Sequence, residues 1–147
     1  MKVKDVMSTD VACCRRDTPL REVARMMVDC DCGEIPVTDE AGRPIGVITD
    51  RDITCRVVAQ GRNPLELTAG DCMTSPPVTV TPQASFKECC DLLEENQIRR
   101  VPVVDEAGLC IGIVSQADIA RHASKRDTAE VVQRVSEPSV RPSVAAP

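Results

Sequence analysis

Gly46-Val47-Ile48-Thr49-Asp50-Arg51-Asp52 runs from a glycine through two β-branched residues to a hydroxyl, with a carboxylate three positions later. Val47 and Ile48 suit a strand buried on both faces. Thr49 suits a helix N-cap. A strand that passes straight into a helix presents backbone N–H groups and a hydroxyl at its tip, which favours an anion such as phosphate. Asp52, one turn in, stands where it would accept from a ribose diol. The plainer reading is a capped helix with an ordinary first-turn Asp, and for one copy alone it suffices.

The pattern returns as Gly112-Ile113-Val114-Ser115-Gln116-Ala117-Asp118, at 112 − 46 = 66 residues. The same offset runs without a gap over residues 5–57 against 71–123. Identical pairs include Asp5/Asp71, Met7/Met73, Glu22/Glu88, Pro36/Pro102, Val37/Val103, Gly42/Gly108, Gly46/Gly112 and Asp52/Asp118. This is an internal duplication. A hydroxyl–Asp pair in the same place in both copies tips the balance toward a binding role.

Each copy reads as β-α-β-β-α after one opening helical turn (Val3–Met7, Ala69–Met73). Short strands are expected near Ala12–Cys14 and Val78–Val80. In copy one Thr18 should cap a helix with Pro19 in its first turn. Leu20, Val23, Ala24, Met27 and Val28 should share its buried face. In copy two Phe86, Cys89, Cys90 and Leu93 play that part. Ile35-Pro36-Val37 and Val101-Pro102-Val103 are short strands. Asp39-Glu40-Ala41-Gly42 and Asp105-Glu106-Ala107-Gly108 are the turns after them. Closing helices should span about Asp50–Gln60 and Gln116–Arg126. The expected class is α+β (mixed α/β): two pseudo-twofold β-α-β-β-α repeats packed through small sheets. Repeat 1 takes residues 1–61, a linker 62–66, repeat 2 residues 67–127, and a flexible Pro/Ser-rich tail 128–147. Thr128–Val135 is alternatively an extension of the last helix.

Composition narrows the function. The 147 residues carry a net charge of −5 and are 42% hydrophobic, with one Phe and neither Tyr nor Trp. An acidic chain with mixed charges lacks the basic footprint of a nucleic-acid partner. No apolar run approaches the ~20 residues of a membrane span. Met1-Lys2-Val3-Lys4-Asp5 leads into no apolar signal segment, so a cytoplasmic protein with reduced cysteines is expected.

The ordered set of motifs resembles a tandem cystathionine β-synthase (CBS) domain pair, or Bateman module. Asp5-Val6-Met7-Ser8 and Asp71-Cys72-Met73-Thr74 carry the resemblance, with the two Pro strands and above all the two Gly-to-Asp stretches. It covers about Val3 to Ala123. It implies a regulatory module that binds AMP, ADP, ATP or S-adenosylmethionine in clefts between the copies, needs no other cofactor, and acts on a separate protein. Phosphate and ribose contacts then fall on Thr49, Arg51 and Asp52, and on Ser115 and Asp118. Beside these, Arg100 of the other copy is expected to serve as a second phosphate contact. The base pocket would be lined by Ile35, Pro36, Val101, Pro102, Cys14 and Val80. A homodimer is implied as well. Copy two departs from the pattern, with Ala117 in place of Arg51, so the two sites should differ in strength. The alternative is a dimeric adaptor that binds partners without a ligand.

Other chemistry reads weakly. None of the nine cysteines shows the paired Cys-x2–4-Cys spacing of a zinc site. Several align with small apolar residues, Cys14 with Val80, Cys72 with Val6, Cys89 with Val23 and Cys90 with Ala24, so core packing is expected and no metal. His122 is the sole histidine and has no evident nucleophile or carboxylate partner for hydrolysis. No enzyme is expected.

Overall fold

The computed structural model describes residues 1–138. The expected tail beyond Pro138 lies outside the described residues. The elements are α1 (Val3–Val6), β1 (Cys14–Arg15), α2 (Leu20–Cys30), β2 (Glu34–Thr38), β3 (Pro44–Thr49), α3 (Asp50–Ile53), a π-helical turn (Thr54–Val58) and a 3-10 turn (Pro64–Glu66). Then come α4 (Ala69–Cys72), α5 (Phe86–Asn96), β4 (Arg100–Val104), β5 (Cys110–Ser115), α6 (Gln116–His122) and α7 (Lys125–Val135). Mixed helices and small sheets confirm the expected class.

The chain forms two compact units that interleave the sequence repeats. The Asp52 unit comprises Asp10–Val78 and Asp105–Cys110. The Asp118 unit comprises Met1–Thr9, Thr79–Val104 and the described residues from Ile111. The opening segment of each repeat is therefore built into the unit that holds the other repeat's strands.

In the Asp52 unit, β1, β2 and β3 form one sheet in that order, parallel then antiparallel. Cys14 pairs with Val37 and Ile35 with Ile48. The segment that opens repeat 2 docks here. Leu20 N–H donates to Leu67 O at 2.9 Å, Ala69 N–H to Thr18 O at 2.9 Å and Gly70 N–H to Arg16 O at 2.8 Å. The Asp118 unit repeats these contacts 66 positions away. Phe86 N–H donates to Met1 O at 3.0 Å, Val3 N–H to Ala84 O at 2.9 Å and Lys4 N–H to Pro82 O at 3.1 Å. Val80 bridges Val103 there as Cys14 pairs with Val37. Duplicated residues thus make duplicated hydrogen bonds, and the 66-residue register holds inside the units.

The cores are aliphatic. Leu20, Val23, Ile35, Val37, Ile48 and Val57 are buried together in the Asp52 unit, with Cys14 and Cys72 among them. Cys89 and Cys90 are buried on α5 beside Leu93. Cysteine here fills small apolar positions, as the alignment implies.

Four local expectations are corrected. Helix α2 starts at Leu20 with Pro19 at its N-cap, and the Thr18 hydroxyl accepts instead from Arg15 N–H at 2.9 Å. Val28 is 69% exposed. At 100° per residue it lies about 80° from Leu20, whereas Val23 and Met27 lie on its other side. The closing helix of repeat 1 does not run evenly to Gln60 but widens into the π turn after Ile53. Finally, α6 ends at His122, and Thr128–Val135 belongs to a separate helix capped by Ser124, whose Oγ accepts from Asp127 N–H at 3.1 Å. Val131 and Val135 of α7 are buried, and Arg134 pairs with Glu94 of α5 at 3.4 Å.

Candidate functional site

Thr49 and Ser115 sit at the ends of β3 and β5, and each caps the helix that follows. The Thr49 hydroxyl accepts from Asp52 N–H at 3.0 Å, and Asp52 Oδ2 accepts from Thr49 N–H at 3.0 Å. Ser115 accepts from Asp118 N–H at 3.3 Å, and Asp118 Oδ2 accepts from Ser115 N–H at 2.8 Å. Both are reciprocal capping boxes. The carboxylates singled out for a ribose are thus also the carboxylates that start the helices.

A second hydroxyl reaches each Asp, and sequence reasoning gave it no part in the site. In the Asp52 unit, Thr74 Oγ1 donates to Asp52 Oδ1 at 3.2 Å. In the Asp118 unit, Ser8 Oγ donates to Asp118 Oδ1 at 3.3 Å. Ser8 and Thr74 are again 66 apart. The segments carrying them run antiparallel to β3 and β5, with Val47 bridged to Thr74 and Ile113 to Ser8. The glycines allow this approach. A Cβ on Gly46 would stand 2.7 Å from Met73 Sδ and 2.8 Å from Thr74 O, and one on Gly112 would stand 2.8 Å from Met7 Sδ and 3.0 Å from Ser8 O. The repeated Met-Ser/Thr after each opening turn was the signal for this contact.

Arg51 is exposed on α3, and Ala117 is exposed at the matching place on α6. Arg100 is half-buried on β4, in the Asp118 unit. The six expected pocket residues are all buried: Ile35 and Val101 completely, Cys14 at 4% exposure and Val80 at 8%, with Pro36 and Pro102 beside them on β2 and β4. Cys14 and Ile35 belong to the core of the Asp52 unit. Val80 also lines a shallow groove of about 520 Å³ with Thr79, Thr81, Gln83, Ala84, Glu88 and Leu92.

With duplication, swapped opening turns and paired hydroxyl–Asp tips established, comparison with known proteins decides the family. The CBS domain family model matches residues 3–58 and again 69–125. The chain belongs to the CBS domain family. It is similar to hypoxic response protein 1 of Mycobacterium tuberculosis, at 36% identity over 135 residues, 92% of this chain and 94% of that protein. The structure of that relative with two coordinated zinc ions superposes with a TM-score of 0.77, covering 84% of this chain and all of the other. The CBS domain pair of MJ0100, solved with 5′-methylthioadenosine and S-adenosyl-L-methionine, gives a TM-score of 0.74 at 27% identity over 82% of this chain and 98% of that one. CBSX2 in complex with AMP gives 0.71 at 25% identity over 82% and 93%.

Among the described residues no group of three or more His, Cys, Asp or Glu side chains is placed to hold a metal ion. Among the described residues no helix is long and apolar enough to cross a membrane.

Proposed function

We propose that this CBS pair is a regulatory module that binds an adenosine phosphate or a related adenosyl ligand and modulates a separate protein. The observation that carries the reading is the strand tip built twice from a hydroxyl and an Asp. Family members of 27% and 25% identity were solved with adenosyl ligands, which supports the ligand class. The Asp52 tip is the stronger candidate. The Thr49 hydroxyl accepts from Asp52 N–H and, among the described residues, donates to no side chain, so its O–H can turn to a phosphate oxygen. The exposed Arg51 supplies charge with paired donors. Ser115 instead donates its O–H to Asp118 Oδ2 at 3.0 Å, and Ala117 brings no charge. The module acts as a cytoplasmic homodimer. Exposed Val28, at 69%, Val58, at 63%, and Leu65, at 69%, supply apolar surface for pairing.

The adaptor reading keeps one specific support. Asp118 is 4% exposed and already accepts from Ser115, Ser8 and Arg121, which suits a purely structural carboxylate. Isothermal titration of the full chain with AMP, ADP, ATP, NADH and S-adenosylmethionine separates the two readings. Saturable heat with at least one is expected. Absence of heat with all five, from a chain that is a dimer by light scattering, leaves the adaptor.

A further inference from the structure

Helix α7 adds to the family pattern, whose second match ends at residue 125, and it lies on α5. Val131 and Val135 of α7 are buried. Arg134 Nη1 stands 3.4 Å from Glu94 Oε2, and Gln97 Nε2 donates to Glu137 O at 2.8 Å. Under this cover the Glu94 side chain is only 10% exposed, and Cys90 is buried. The 66-residue register puts Ala24 and Val28 of α2 in the places of Cys90 and Glu94. There Val28 is 69% exposed and Ala24 half-buried. Helix α2 therefore leaves open a face that its twin keeps under a helix.

The charges along that face differ between the twins. Ala24 and Val28 lie about 40° and 80° around the helix from Leu20, and Arg25 and Asp29 follow at about 140° and 180°. Arg25 Nε stands 3.4 Å from Asp29 Oδ1, with both side chains largely exposed. On α5 the places of Arg25 and Asp29 are held by Asp91 and Glu95. Leu65, on the 3-10 turn packed against α2, is exposed as well.

We propose that the open face of α2 is the contact between two copies of this chain, paired antiparallel about a two-fold axis. A two-fold contact sets the same patch of each copy against itself. Run antiparallel, the Arg25–Asp29 edge of one helix meets its own edge reversed, so Arg25 of each copy faces Asp29 of the other. Val28 then meets Val28 near the axis, which takes an exposed apolar side chain out of water. The same pairing of α5 would set Asp91 against Glu95, and like charges in contact disfavour it. A swapped α7 does not fit α2 either, because Val28 stands where Arg134 finds Glu94. With α7 closing the twin face, each chain offers one such face, and assembly stops at two.

This pairing rests on the homodimer reading, and the nucleotide has no part in it. Sedimentation velocity on the full chain without ligand, over a micromolar series, should give twice the chain mass. Arg25→Asp leaves only acidic side chains along the shared edge, and Asp29→Arg only basic ones. Each should weaken the self-dimer about ten- to a hundred-fold, since attraction becomes repulsion at both symmetry-related pairs. An equal mixture of the two variants should form a dimer with one chain of each kind, read by native mass spectrometry. Asp91→Arg, at the matching place on α5, should leave the parent dimer unchanged. Arg25 and Asp29 are exposed, so the fold tolerates both changes, and the mixture reads pairing even where a single variant is less stable. A monomeric parent overturns the homodimer reading and this contact with it. A dimeric parent whose single variants both stay dimeric, a mixture without mixed dimers, or equal weakening by Asp91→Arg overturns the α2 contact alone.

Discussion

At the Asp52 tip the carboxylate takes three partners, Thr49 N–H, Thr74 Oγ1 and the ion-paired Arg56 Nε, and its side chain is 13% exposed. At the Asp118 tip the carboxylate takes four partners, Ser115 N–H, Ser115 Oγ, Ser8 Oγ and Arg121 Nη1, and is 5% exposed. The helices beyond differ too. After Asp52 the backbone widens, with Ala59 N–H donating to Thr54 O at 2.9 Å, and Arg56 lies with Nε 3.6 Å from Asp52 Oδ1 and Nη1 3.1 Å from Met73 O. Such π turns insert one residue and are frequent at functional sites. After Asp118 the helix stays regular. His122, which occupies Arg56's place in the repeat, donates from Nδ1 to Asp118 O at 2.8 Å. A duplicated cap has thus kept one partly open carboxylate and closed the other. The first is suited to a ligand and the second to holding its unit together.

The difference makes opposite substitution profiles. Asp118→Ala should cost about 2–4 kcal/mol of stability. It strands the Ser115 N–H and the Ser8 hydroxyl without their acceptor, at roughly 1–3 kcal/mol for each buried group left unpaired, while Ser115 still caps the helix through the residue 118 N–H. Chemical denaturation measures it. If Asp52→Ala costs as much, both carboxylates are structural and the contrast collapses.

The backbone approach behind both tips comes next in size. Gly46→Ala should cost about 1–3 kcal/mol by overpacking, because the new methyl would meet Thr74 O at 2.8 Å as well as the movable Met73 side chain. Gly112→Ala meets Ser8 O at 3.0 Å and should cost slightly less. A thermal melt of each variant ranks them. Equal tolerance of alanine at both would deny that the opening segments are seated on these strands.

Much of this architecture was legible from the register alone. A 66-residue offset places Val80 against Val103 because Cys14 lies against Val37. Asp39 and Asp105 each take the N–H groups of a tight turn, at Ala41 and Arg43 and at Ala107 and Leu109. What periodicity cannot say is which copy a segment packs on. Ser8 and Thr74 escaped notice as site residues because each bonds the Asp of the other repeat. The π turn was hidden because Thr54-Cys55-Arg56 has ordinary helical composition. α7 was hard to separate from a tail because its capping Ser124 follows only one residue after α6, and its buried side is just Val131 and Val135.

Ligand binding should then follow the open tip. Asp52→Ala should weaken an adenosine phosphate about ten- to a hundred-fold, since a hydrogen bond to a charged group is worth roughly 1.5–3 kcal/mol. The fold should survive, because Thr49 keeps its bond to the residue 52 N–H. Arg51→Ala should weaken phosphate-bearing ligands more than adenosine itself. Titration calorimetry on both variants reads these effects. Unchanged affinity in Asp52→Ala would assign the ligand elsewhere and return this tip to plain helix capping.

The smallest effect tests the cores rather than the tips. Cys89 occupies on α5 the place that Val23 occupies on α2, and both are completely buried. Burial pushes the Cys89 thiol from 9.0 up to about 12, with Cys90 and Asp118 adding to it. The unfolded chain releases this proton near pH 9 while the folded chain retains it. Stability from Cys89 is thus fully present below pH 9 and is lost as pH rises toward 12. At pH 10 the loss amounts to about 1 kcal/mol for one such group. Cys89→Val, which copies the other repeat, removes the ionisation and should flatten this part of the stability–pH curve between pH 8 and 10. The comparison is read as the change in denaturation free energy over that interval, parent against variant, under reducing conditions. A Cys89→Val curve that falls as steeply as the parent's would mean that Cys89 ionises alike in both states. Its thiol would then be wetter than the Val23 position it replaces.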